Sequence, residues 1–306
     1  MKRRKPNFTN DEFLAAAAAF AIEPKQFPTW DYDGTVYLPE YHRTSYAMSP
    51  VILCSALFGI ARVKTVLIEG EKTSVREYLE CVFRTTNGAT IEYHGKELAQ
   101  DDLTVLLGLL NKHCGMATSC ALEFAPSTFC TQIGWSDSKH NVFRLKHCLL
   151  RLRKAILIVR AAKKEDDTEM SSLAKAIGKG WTLGFLSDLK WDGLAQWSVQ
   201  IDSRMCQLFK TTPTYLIASK RMALTEGLQT WLYGYIEANT CTYAVPVAKI
   251  HEACGSTSSL KEFSRQIRDA LPKLVEIGAV HENSTVKNGK VAIFKIASAR
   301  PKSSKR

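Results

Sequence analysis

Between Cys254 and Asn283 the chain reads CGSTSSLKEFSRQIRDALPKLVEIGAVHEN, with apolar positions every three or four residues. Advancing about 100° per residue from Phe263 brings Leu260, Ile267, Ala270, Leu271 and Leu274 into one arc, which predicts a helix with that arc in a core. Lys261, Arg265 and Arg268 fall roughly opposite, with Ser258 beside them near the start. The Ser-Thr-Ser-Ser run supplies N-caps, and the outward backbone N–H groups of a helix N-terminus form a natural phosphate site. Pro272 predicts a kink or break near Leu271, because proline inside a helix removes a backbone bond at a cost of ~3 kcal/mol. Downstream, two alternating runs flank Asn288-Gly289, the strongest short hairpin signal. Upstream, SKRMALTEGLQTWLYGYIEAN predicts a helix, and YAVPVAKIHEACG predicts a strand stub and a short helix stopping at Gly255. Short helix, turn, longer helix, hairpin is the order of a winged helix-turn-helix.

The same grammar runs through an earlier region. ATIEYHGKEL alternates like a strand leading to a turn at Gly95, and QDDLTVLLGLLNKHC predicts an Asp-capped helix with Leu103, Leu106, Leu107 and Leu110 on one face. APSTFCTQIGWS gives a short helix starting behind Pro126 and ending at Gly134. In SDSKHNVFRLKHCLLRLRKAIL a longer helix carries Leu145, Cys148, Leu149, Leu152 and Ile156 as its apolar stripe. Strand-like runs AILIVRAA, WTLGFLSDL and QWSVQID follow, interrupted by the polar insert 163–179.

These patterns predict an α+β chain of two tandem winged helix-turn-helix domains with an N-terminal arm. The arm is residues 1–45, with Pro6, Pro24, Pro28 and Pro39 as punctuation. The first domain is 46–205, the second 206–298, and 299–306 form a basic, disordered tail. In a helix-turn-helix the second helix enters the major groove N-terminus first. Ser258, Ser259, Lys261, Glu262, Arg265 and Arg268 then reach base edges, while Lys287, Asn288 and Lys290 at the hairpin tip lie along adjacent backbone. Any surface helix carries charge opposite its core, but here the core face, basic face, caps and wing agree on one docking pose. On the earlier helix the corresponding side holds His140, Phe143, His147, Arg151 and Lys154, with Ser138, Lys139 and Arg144 nearby. Phe143 and Leu150 are unexpected on a groove-facing surface and suit packing on the arm or on a second subunit.

Charge strengthens this picture. Over 306 residues the formal net charge is +11, and residues 206–306 hold 15 Lys and Arg against 7 Asp and Glu. A polyanion partner fits that balance. Nine cysteines with no Cys-x-x-Cys imply reduced thiols in a cytosolic protein. His113, Cys114 and Cys120, or His140, His147 and Cys148, lack the tight pairing of metal ligands, so no metal or other cofactor is expected. FLAAAAAFAI after the basic start is too short for a membrane span and reads as an amphipathic helix, so no membrane partner is expected. Enzyme chemistry lacks its residues: there is no G-x-x-x-x-G-K-[ST] for ATP, and no His-x-His for a metal-dependent nicking site. Asp101 and Asp102 read as helix caps.

The blocks SALFGIA, IEYHGKELAQDDL, IGWSDSKHNVFRLKHCLLRL, VQIDSRMCQLF and CGSTSSLKEFSRQIRDALPKLVEIGAV resemble, in order, those of TrfA-type plasmid replication initiators. The likeness covers residues 50–298 and is spread over many blocks. It implies tandem winged-helix domains that bind directly repeated sites (iterons) in double-stranded DNA at a plasmid origin. It further implies opening of adjacent AT-rich DNA, recruitment of the host initiator and replicative helicase, a sliding-clamp contact, a homodimer as one assembly state, and a bacterial cytoplasmic location. The family's clamp-binding motif has no clear place here. Gln207-Leu208-Phe209 has the letters but falls where a strand into the second domain is expected, which favours a buried role. A winged-helix transcriptional repressor with no replication role is the alternative.

Overall fold

In the computed structural model the described residues are 37–38, 41–60, 64–68, 71–84, 90–160, 181–193, 195–209, 213–239 and 244–296. Most of the arm, the 163–179 insert and the tail lie outside them. The chain begins with β1 (Ser45–Met48), α1 (Pro50–Leu53), β2 (Phe58–Gly59) and the antiparallel pairs β3 (Lys64–Ile68) with β4 (Glu71–Val75) and β5 (Tyr78–Arg84) with β6 (Thr90–Lys96). After β7 (Leu98–Ala99) come α2 (Gln100–Lys112), β8 (Leu122–Phe124), α3 (Pro126–Gln132), α4 (Lys139–Lys154), β9 (Ile156–Arg160), β10 (Trp181–Leu183), β11 (Leu186–Asp192) and β12 (Gln196–Ile201). The remainder is β13 (Thr214–Ile217), α5 (Ala218–Met222), α6 (Leu228–Ala238), β14 (Val245–Pro246), α7 (Val247–Ala253), α8 (Leu260–Glu276), β15 (Thr285–Lys287) and β16 (Lys290–Ala292).

One order of elements occurs twice. Helix, strand, helix, helix and two strands are α2, β8, α3, α4, β11 and β12 in the first half, and α6, β14, α7, α8, β15 and β16 in the second. Each set forms a three-stranded sheet with its last strand central, β11-β12-β8 and β14-β16-β15. The first set is interrupted by β9 and β10, which leave to join β6 and β5 in a four-stranded sheet. The segments before and between the sets are tied together by the antiparallel pair β1–β13.

A single cluster of buried apolar side chains runs from Leu38 to Ile293, so the two sets share a core. Helix α2 lies at its centre. Its leucines were expected on one face, yet every residue from Gln100 to Leu110 is buried, because β1, β2, β7 and α4 surround it. Gly108 lets Phe129 and Ile133 come close: a Cβ there would collide with Ile133 Cγ2 and crowd the Phe129 ring. Gly108→Ala is therefore expected to lower stability by about 1–3 kcal/mol through overpacking, read as a lower melting temperature. Arg221 of α5 is 3% exposed and crosses the shared core. It donates to Gln100 Oε1 (3.1 Å) and Thr104 Oγ1 (3.2 Å) of α2 and to the Thr230 carbonyl (3.1 Å) of α6. Burial pulls its guanidinium down to about 10, still protonated at neutral pH.

Several elements depart from the pattern in the sequence. The run expected as one helix, Ser219–Asn239, is two, broken before Gly227, whose φ of 111° is one that L side chains rarely adopt. Strand β6 continues through Gly95 to Lys96 rather than turning there. WTLGFLSDL divides into β10 and β11 around the buried Phe185. Ile156 leaves the α4 stripe and is 45% exposed on β9. Helix α8 is unbroken at Pro272, which lies on its exposed side, where water can take the carbonyl that proline leaves free. Ser203–Phe209 is a 3-10 helix, not a strand, and Leu208 and Phe209 are buried in the core.

Candidate nucleic-acid interface

Helix α8 is built as its spacing dictates. Phe263, Ile267, Ala270, Leu271 and Leu274 are buried, while Ser259 caps the helix by accepting the Glu262 N–H at 3.3 Å. Leu260, placed with the core by spacing, is 50% exposed, because as the first helical residue it projects past the elements α8 packs on. Lys261, Arg265 and Arg268 are all exposed. Arg265 is not free, however. It lies between Glu262 and Asp269, with Nε to Glu262 Oε2 and Nη1 to Asp269 Oδ2 both at 3.0 Å. Ser258 is half-buried: its carbonyl accepts from His251 Nε2 at 2.7 Å, and its hydroxyl is paired with that of Ser256.

The β15–β16 hairpin turns through Asn288 and Gly289, with φ of 51° and 69°, the left-handed pair that a two-residue turn requires. Lys287 and Lys290 are direct cross-strand partners on either side of that turn, and both are exposed. Like charges placed opposite one another destabilise a hairpin. An anion between them would reverse the sign of that effect. Arg268 lines a groove with Leu271 and Pro272 on the helix and with Glu282, Ser284, Thr285 and Val286 at the entry to the hairpin.

Helix α4 is capped by Ser138, whose Oγ accepts the Asn141 N–H at 3.2 Å. Val142, Leu145, Cys148, Leu149 and Leu152 are its buried side, and Lys139, His140, Phe143, His147 and Lys154 are exposed. Arg144 and Arg151 face inward. They sit about 100–120° from the core direction, on the flank that meets the start of α2. Arg151 binds Asp102 through Nη2 (2.8 Å) and Nε (2.9 Å). Arg144 pairs with Glu226 from the α5–α6 turn and lies over the Trp135 ring at 4.3 Å. The acids capping α2 are thus also the anchor for α4, and Arg76 completes the cluster with 2.7 Å contacts to both Asp101 and Asp102. Burial alone would raise the Asp101 carboxyl, yet Arg76, Arg151 and Arg144 hold it below the ordinary range. For Asp102, burial and then its neighbour Asp101 prevail, pushing it to about 6. Asp101, Asp102 and Cys148 lie close enough for a metal ion, but arginines already occupy both carboxylates.

Spacing missed two members of this surface. Lys146, half-buried on the other flank of α4, lies 4.6 Å over the ring of Trp191 on β11. Arg153 is exposed one residue before the helix end. An arc widened toward the hairpin would have found both. Partial burial, then Arg151 and Lys146, hold the His147 imidazole below its ordinary value, so it is neutral at physiological pH. No helix among the described residues is long and apolar enough to cross a membrane.

Solved structures share the fold. Crystal structures of RctB domains 2 and 3, one of them from selenomethionine derivatives, each align with a TM-score of 0.50 and 13% identity over 81% of this chain, and over 99% and 97% of their own. Comparison with curated proteins gives no match. The sequence model described as TrfA protein matches residues 38–293. The class so defined is that of the replication initiators. Within it, the chain belongs to the TrfA family of plasmid replication initiators.

Proposed function

We propose that the protein binds directly repeated sites in duplex DNA at a plasmid origin, through two tandem winged helix-turn-helix domains, 46–205 and 206–298. Helices α4 and α8 enter successive major grooves, and the β11–β12 and β15–β16 hairpins lie on the flanking backbone. The observation that carries this reading is the repeated order of elements, each ending in an exposed helix beside a two-stranded hairpin. The opposed Lys287 and Lys290 support it, since an anion between them would relieve their mutual repulsion. Family membership supports the remaining steps: opening of the adjacent DNA, recruitment of the host initiator and replicative helicase, and action in the bacterial cytoplasm without an enzymatic step of its own. A clamp contact through Leu208 and Phe209 is not part of the proposal, because both are sealed in the core.

Selection of bound duplexes from a random pool tests the DNA reading. A long directly repeated unit is expected, and a palindrome would favour a dimeric repressor. Loss of replication of a plasmid carrying the selected repeats, when the protein is withdrawn, is the test of initiation. Replacing Lys287 or Lys290 by alanine should weaken all duplexes alike and reduce the slope of log affinity against log salt by roughly 1, as loss of one phosphate contact requires. An unchanged slope removes the wing from the interface.

A further inference from the structure

Phe143 is 61% exposed in the first half of α4, on the side opposite Leu145, Leu149 and Leu152. It is the one large exposed hydrophobic side chain of this helix among the described residues. Around it on the same side are Lys139, His140, His147 and Lys154. A phenyl ring gains nothing from phosphate, and its apolar surface is unfavourable in water. We propose that Phe143 reads thymine, by packing against the 5-methyl group in the major groove. The proposal rests on the reading that α4 enters that groove. There the base edges offer hydrogen-bond donors and acceptors and one apolar feature, the thymine methyl. The cations around the ring settle the helix on the backbone, and the ring, facing away from the core, meets the base edges. A second copy of the chain is a poorer occupant, because symmetric pairing of this face would set its lysines against their own counterparts.

The test uses the full chain and a duplex recovered by the random-pool selection, with thymines replaced one at a time by deoxyuridine, which lacks only the methyl. The wild-type protein should lose about fourfold in affinity at one or two positions, the equivalent of one buried methyl group. Phe143→Ala should bind the thymine duplex less tightly and show no further loss on deoxyuridine at those positions. Phe143→Leu, which keeps an apolar contact, should recover part of the discrimination. If Phe143→Ala keeps the full deoxyuridine penalty, thymine is read by another residue and the proposal is overturned. A variant that binds both duplexes as the wild type does, but sediments as a smaller species, would assign the ring to a subunit contact instead. Should the wild-type protein show no preference for the selected duplex over random DNA, the major-groove reading fails, and this inference with it.

Discussion

Asp102→Ala is expected to destabilise the protein by about 3–5 kcal/mol, the usual effect of removing one partner from a buried ion pair. Asp102 is wholly buried and binds Arg76 at 2.7 Å and Arg151 at 2.8 Å, with side chains only 8% and 13% exposed. It also accepts the Ala99 N–H at 2.9 Å, capping α2. Without it, Arg76 and Arg151 are left with Asp101, which Arg144 also approaches, and the start of the central helix loses its cap. Asp102→Asn keeps the shape and removes the charge, so comparing the two separates packing from electrostatics. Urea unfolding midpoints at constant slope provide the measurement. A change below about 1 kcal/mol in both variants would show that the cluster is a surface-like ion pair rather than a structural centre.

That cluster also marks the limit of what spacing reveals. Most of the buried stripes of α4 and α8, the Asn288-Gly289 turn, the cap Ser259 and the stops at Gly134 and Gly255 were legible, because each is set by local backbone chemistry or by helical period. What failed was decided by neighbours distant in sequence. Arg144 and Arg151 have the same helical phase as solvent-facing cations until Asp101, Asp102 and Glu226, 43 to 82 residues away, draw them inward. Arg221 gives the same lesson in reverse, a cation on a short helix that α2 and α6 enclose completely. The break before Gly227 was local, but the apolar run on either side of it masked the glycine. Pro272 misled differently: its local cost is real, yet on the exposed side of a well-packed helix it does not outweigh the burial of Leu271 and Leu274.

The second large effect falls on binding alone. Lys261→Ala with Arg268→Ala should weaken binding to the selected repeat by about 2–6 kcal/mol, from two contacts of ~1–3 kcal/mol each. The two side chains are seven residues, or ~10 Å, apart along α8, far enough for their effects to add. Both are exposed, and among the described residues neither is in an ion pair, so the melting temperature should hardly move. Arg265, between them, is predicted to contribute less when replaced singly, because its guanidinium must first leave Glu262 and Asp269. Measured on random duplexes as well, the double variant assigns each role: a loss confined to the repeat means base reading, and an equal loss on both means phosphate contact. No loss on either would take α8 out of the groove, and with it the docking orientation proposed for the second domain.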